Sequence, residues 1–352
     1  MSEGNRSQKQ ISRRDFLKLT GLSVLGLASP LILKNINISR SSTEKLATSL
    51  GRVLHPEDVV FGAPKFTTIP LRTVVLNTIV NLEEEVEGSP DQYNNRIWYK
   101  VKEGGYIHST AVQLVENKTN PITNLWHIDG QLAQVTVPFT QGWKTFHINR
   151  NTFEPFYFGS THWVETLVED EQGVSFYRMR EDRWGDVYFI PTTHIHVLTN
   201  NELQPISADT PPQEKRIEVR LQDQMMAAFE GDRLVLLSPI SSGLVGTNED
   251  FSTPPGSYEV TYKRPSRHMV HSDRIGFDDG ELFGVPWVSY FTDTGIAFHG
   301  TYWHNEFGRP RSHGCVNLPI DAARFIYLWT LPTVPPLEKT YTSNHGTRVL
   351  VY

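Results

Sequence analysis

The chain has 352 residues, enough for two or three domains and at least one sizeable core. Lys plus Arg number 33 against 39 Asp plus Glu, a formal net charge of −6 that argues against a nucleic-acid binder, which needs a basic face. Hydrophobic residues make up 38% and aromatics 11%, with 25 Gly and 22 Pro, a turn-rich composition that suits β structure, and a mean hydropathy of −0.36 excludes a polytopic membrane protein. The single cysteine excludes an intramolecular disulfide framework and any zinc site built on several thiolates.

The N-terminus points to export. Ser12-Arg13-Arg14-Asp15-Phe16-Leu17-Lys18 is a twin-arginine run, and the moderately apolar stretch from Leu19 to Leu33 is too short and too rich in Gly and Ser for a bilayer span. Residues 1–40 resemble the twin-arginine (Tat) export signal. That resemblance implies the Tat machinery as a partner and a place across the cytoplasmic membrane, in the cell wall or outside it. Ala28-Ser29-Pro30 gives small residues without a clean cleavage pattern, so the signal is either removed or kept as an anchor. No cysteine follows it, which excludes a lipid-anchored N-terminus.

Residues 41–64 are polar and punctuated by Ser, Pro and Gly, and are expected to be a linker. In 65–116, Leu71-Arg72-Thr73-Val74-Val75-Leu76 and Ile97-Trp98-Tyr99-Lys100-Val101 alternate with strand period, separated by Gly88-Ser89-Pro90-Asp91 and Gly104-Gly105. The closing run from Gly105 to Leu114 resembles the last strands of bacterial SH3-like modules. A weaker echo spans 117–205, where Phe176-Tyr177-Arg178-Met179 is followed by Val187 to Leu198. Two small SH3-like β-barrels, or one larger β domain, are expected here. A second linker at 206–216 leads to a domain at 217–352. There Gln224–Phe229 and Leu234–Ser238, parted by Glu230-Gly231-Asp232, predict a hairpin.

The chemistry gathers near the C-terminus. Phe298-His299-Gly300-Thr301 is followed, with 12 residues between His299 and Ser312, by Ser312-His313-Gly314-Cys315-Val316-Asn317, so the only cysteine stands among histidines. After Pro319, Ala322, Phe325, Ile326 and Trp329 recur with helical spacing, and Pro332, Pro335 and Pro336 end the pattern. Cys315 is therefore expected just before a helix N-terminus, whose partial positive charge favours a thiolate. A histidine in reach would act as general base or ion-pair partner. The amides of Gly314 and Cys315 are candidates to meet an acyl-transfer oxyanion.

Ser312-His313-Gly314-Cys315-Val316-Asn317, preceded by His299-Gly300-Thr301, resembles the signature of the L,D-transpeptidase (YkuD-type) catalytic domain. The similarity runs from Ile217 to Tyr352 and takes in Thr253-Pro254-Pro255-Gly256 and the closing Gly346-Thr347-Arg348-Val349-Leu350-Val351. The fold it implies is mainly β, a sandwich with a short helix after the cysteine. It implies Cys315 as nucleophile on peptidoglycan stem peptides and His299 as base and later proton donor. Gly300 would orient the imidazole through its carbonyl, and His313, Gly314 and Cys315 would form the oxyanion region. Ser312 and Asn317 would hold the loop. Arg311 and Tyr302 are candidate substrate contacts, and Trp303 is close in sequence to the base.

No metal or organic cofactor is implied. A zinc site from His299, His304, His313 and Cys315 is the lesser reading, since Ser-His-Gly-Cys is better explained around a nucleophile. His304 is expected to be a solvated loop residue, and His268 and His271 receive no role. The leading function is an exported transpeptidase that cross-links or remodels stem peptides. The alternatives are an L,D-carboxypeptidase on the same scaffold and a wall-binding protein with an idle catalytic domain.

Overall fold

In the computed structural model, residues 49–125, 127–145, 153–246, 250–270 and 281–352 are described. The twin-arginine segment and His271 lie outside them.

Short β-branched and aromatic runs build almost everything. The first unit comprises β1 (Ser49–Val53), β2 (Glu57–Phe61), β3 (Pro70–Val75), β4 (Ile79–Glu87), β5 (Ile97–Val101), β6 (Tyr106–His108) and β7 (Val112–Val115). They form one sheet in the order β3-β2-β6-β5-β4-β1-β7, curled so that Val74 near one end and Val112 at the other share a core with Val53, Val60, Leu82, Tyr99 and Ile107. Two of these strands, β1 and β2, fall inside the stretch 41–64 expected to be a linker. Val53 and Val60 are buried there, but the pattern is masked by Arg52, a buried cation standing where an apolar residue would be read.

The second unit repeats the plan. It comprises β8 (Gln131–Val135), β9 (Phe139–Trp143), β10 (Phe153–Tyr157), β11 (Thr161–Glu169), β12 (Ser175–Arg180), β13 (Val187–Pro191) and β14 (Ile195–Val197). Their order, β10-β9-β13-β12-β11-β8-β14, is the first sheet's order strand for strand. Each unit enters its last strand through a 3-10 turn, Ser109–Ala111 in one and Thr192–His194 in the other.

The C-terminal domain comprises β15 (Lys215–Arg220), β16 (Met225–Glu230), β17 (Arg233–Pro239), β18 (Gly256–Glu259), β19 (Tyr262–Val270), β20 (Glu281–Tyr290), β21 (Ala297–Gly300), β22 (Val316–Leu318), α1 (Ile320–Trp329), β23 (Tyr341–Thr342) and β24 (Arg348–Val351). Two five-stranded sheets result, β17-β16-β15-β24-β18 and β22-β21-β20-β19-β23. The expected hairpin is β16–β17, with Glu230 opposite Arg233. Ile217, Val219, Met226 and Val349 from the first sheet share one core with Trp287, Phe298, Val316 and Leu318 from the second. Helix α1 adds Ala322, Ala323, Ile326 and Trp329 to that core. The chain is thus mainly β, a two-sheet sandwich with a short helix near the C-terminus. Among the described residues no helix is long and apolar enough to cross a membrane.

The second unit is fastened to β19 and β20. Thr161 Oγ1 donates to the Pro265 carbonyl at 2.7 Å, and Asp182 takes Arg264 and Arg267 at 3.1 and 2.7 Å. Phe283 of β20 completes the second unit's core. Gly284 makes this approach possible: its φ is +64°, and a Cβ there would sit 2.1 Å from His162 Cε1.

Candidate active site

Strands β21 and β22 run parallel, with Phe298 opposite Val316, His299 opposite Asn317 and Gly300 opposite Leu318. Phe298 and Val316 turn into the sandwich core. Strand alternation therefore puts His299 and Asn317 on the other face, together with Cys315 one residue before β22. Ala297, on that face, belongs to a cluster with Leu282, Val285 and Val288 against which Cys315 and Trp303 pack. His299 and Cys315 are diagonal neighbours on adjoining strands. A strand spacing of about 4.8 Å and a rise of about 3.3 Å per residue put their Cα atoms about 8 Å apart, close enough for the side chains to meet.

The imidazole is buried and set by its own strand. His299 Nδ1 lies 3.2 Å from the Gly300 carbonyl. A carbonyl only accepts, so the proton is on Nδ1 and Nε2 carries the basic lone pair. Trp303 lies over the ring with a centroid separation of 5.8 Å.

The sulfur is in a different state from the one expected. Burial pushes the Cys315 thiol up to about 11, although the Ala297 amide favours the thiolate. The S–H is directed at the Gly295 carbonyl, 4.0 Å away. The helix does not offset this, because β22 stands between Cys315 and α1. Three strand residues cover about 10 Å, beyond the reach of a helix-end charge. Burial therefore favours the neutral thiol at rest.

The loop before it is held by a set of hydrogen bonds. Ser312 Oγ donates to the Cys315 carbonyl and accepts the Gly314 amide at 3.2 Å. Gly314 has φ +113°, a conformation a side chain would strain. Thr253 Oγ1 donates to the Gly314 carbonyl at 2.8 Å and accepts the Gly243 amide at 2.9 Å. The Thr-Pro-Pro-Gly run thereby braces the cysteine turn from a distant point of the chain. His313 is exposed, edge-on to Phe251 at 4.5 Å.

Two candidate substrate contacts are otherwise engaged. Tyr302 is 2% exposed, and its hydroxyl donates to the Phe283 carbonyl at 2.8 Å, so it is packing rather than groove wall. Arg311 is paired with the buried Glu306, which also holds Arg309. His304, expected in solvent, is buried. Its Nδ1 accepts the Glu306 amide at 3.2 Å, and its Nε2 lies 2.8 Å from the Asn317 amide. Burial, then the charges of Arg311, His299 and Arg309, hold it well below its ordinary pKa, so it is neutral. With Nδ1 accepting, Nε2 carries the proton and the Asn317 oxygen must face it. Asn317 is thus tied to the loop between base and thiol. Among the described residues, no group of three or more His, Cys, Asp or Glu side chains could hold a metal ion.

Two more residues line this region, Met269, which the sequence did not single out, and Tyr290, an aromatic that sequence reasoning weighed as packing or binding wall. Tyr290 and Met269 pack on the apolar cluster beside Cys315. Burial holds the Tyr290 phenol up at about 12 against the opposing charge of Arg267, and Cys315 adds to the rise.

The chain has known relatives over this part. It is 27% identical over 121 residues to the "Putative L,D-transpeptidase YciB" of Bacillus subtilis (strain 168), covering 32% of this chain and 58% of that protein. The match therefore spans little more than half of that relative's length. Among solved structures it is similar to the L,D-transpeptidase of Xylanimonas cellulosilytica DSM 15894 (28% identity, 39% of this chain, 60% of that one, TM-score 0.29). It is also similar to the catalytic domain of the E. faecium L,D-transpeptidase acylated by ertapenem (26% identity, 40% of this chain, 97% of that one, TM-score 0.29). Residues 214–351, which hold His299 and Cys315, match the YkuD family model, the L,D-transpeptidase catalytic domain.

Proposed function

We propose that the protein is a cysteine acyltransferase acting on peptidoglycan stem peptides, an L,D-transpeptidase. The observation that carries this reading is the placement of His299 and Cys315 on one face of a parallel strand pair, with Nε2 of the imidazole left as the basic nitrogen. The thiol proton passes to His299 Nε2 as the sulfur attacks the carbonyl between an L-centre and a D-residue. The resulting oxyanion meets main-chain N–H groups of the cysteine turn. Since the Gly314 amide is given to Ser312, those of Cys315 and His313 serve this role. Collapse expels the D-residue's amine, which takes the proton from His299 and leaves a thioester on Cys315. An amine from a second stem attacks the thioester, gives its proton to His299 and releases the cross-linked product and the thiol. Water in place of that amine gives the carboxypeptidase reaction.

Export by the Tat machinery, residence at the cell wall and an SH3-like character of the two N-terminal units belong to the same proposal. They rest on residues 12–33 and on the strand pattern of the units. The test is covalent: incubation with a carbapenem should add one inhibitor mass to the intact protein and none to Cys315→Ser. Disaccharide-tetrapeptide should give cross-linked dimer, and trimmed monomer alone would favour the hydrolase. Dimer formed by Cys315→Ser would overturn the mechanism.

A further inference from the structure

The stretch 301–311, which joins the base to the cysteine turn, is gripped from outside its own domain. Arg52 on β1 is 2% exposed and sends Nη2 to the Tyr302 carbonyl at 2.5 Å. The same guanidinium is held by Gln113 Oε1 at 2.8 Å and Asn77 Oδ1 at 2.9 Å, both in the first unit. It also stacks over the Tyr157 ring of the second unit at 4.2 Å. Three residues further on, Asn305 Nδ2 donates to the Ser109 and Val112 carbonyls at 2.9 and 3.1 Å. Arg309 lies over the Tyr93 ring at 4.8 Å. The first unit thus touches this stretch at both its ends and its middle.

What the stretch carries explains why such a grip matters. Trp303, next to Tyr302, packs against the His299 ring and on the apolar cluster that half-buries Cys315. His304, next to Asn305, is joined to Asn317, two residues past Cys315. A buried cation is costly unless every donor is matched, so Arg52 at this junction has little freedom to settle elsewhere.

We propose that the first seven-stranded unit is a clamp on the catalytic loop, and that Arg52 is a positioning residue that fixes Trp303 against His299 and beside the cluster on which Cys315 packs. The proposal rests on the acyl-transfer reading only for what His299 and Cys315 do, not for how they are held. With the clamp loosened, Trp303 lifts, water reaches the sulfur, and the thiol loses part of the burial that suppresses its ionisation. The sulfur then becomes easier to alkylate while the base is less well placed to use it. At equal folded fraction, a residue that merely stabilised the fold would leave both readouts unchanged.

The full chain carries one thiol, so iodoacetamide at pH 8 followed by intact mass reads Cys315 alone. The variants are Arg52→Met, Arg52→Lys and Asn305→Ala, compared at equal folded fraction by circular dichroism. A fall of one unit in the thiol pKa raises its thiolate fraction tenfold, so Arg52→Met should be alkylated about tenfold faster. Arg52→Lys, which keeps one donor, should fall between it and the unaltered chain, and Asn305→Ala should accelerate by a smaller factor. Turnover of stem peptide should fall in the same variants through kcat rather than KM. Should Arg52→Met fail to fold, Asn305→Ala carries the test. Alkylation within twofold of the unaltered rate in both Arg52→Lys and Asn305→Ala overturns the clamp. Alkylation needs no substrate, so a chain that shows the acceleration but never forms an acyl-enzyme refutes the proposed activity and leaves the clamp standing.

Discussion

At the scale of single residues, the site keeps its nucleophile in reserve. A thiol that ionises near 11 is almost wholly protonated at neutral pH, so attack depends on handing its proton to His299 as substrate binds. Replacing His299 with Ala should lower kcat by about 10²–10⁴-fold with little change in KM, measured on disaccharide-tetrapeptide. The rate of Cys315 alkylation in the unaltered chain should still be climbing at pH 10, with a midpoint near 11; a plateau by pH 9 would contradict the burial argument. The same titration bears on stability. The folded thiol holds its proton to higher pH than the unfolded one at 9.0, so stability is lost as pH climbs through that window. The sequence motifs singled out His299 and Cys315, and the parallel pairing of β21 with β22 sets them on one face. The state of the sulfur was not legible in the sequence, because ionisation depends on the strand β22 and the apolar cluster, and neither shows in the local pattern. His304 misled for a related reason: a histidine in a polar loop looks solvated until Asn317 and the Glu306 amide close around it.

At the scale of elements, the readable ones were those whose apolar period ran uninterrupted. Helix α1 declared itself through Ala322, Ile326 and Trp329 and ends at Thr330, close to the expected prolines. Trimming Ile326 to Ala leaves a void among Trp287, Phe298 and Trp329 and should cost about 2–5 kcal/mol, read from the urea midpoint at unchanged m-value. Strand β4 was harder to see, since its glutamates Glu83, Glu84 and Glu85 break the alternation where a bulge shifts the register between Leu82 and Glu84. Strand β1 was hidden by Arg52, the residue whose burial ties three parts of the chain together.

At the scale of the molecule, the same strand order occurs twice, yet the two copies meet the catalytic domain differently. The first reaches the loop between base and thiol, whereas the second is built into the sandwich, with Leu132 and Trp163 inside the catalytic core and Phe283 inside its own. A fragment beginning at residue 206 should therefore melt lower than the full chain and bind a hydrophobic dye such as ANS, because the face around Phe283 and Trp287 loses its cover. Equal melting temperatures would show that the sandwich does not need that cover. The shielded sulfur has a further consequence for the molecule's lifetime. With a single sulfhydryl the chain cannot staple itself into a wrong shape. Oxidants attack the ionised form, which the raised pKa makes scarce at neutral pH, so the sulfur would rust slowly in an aerated medium and be spent mainly on the peptide that calls it into use.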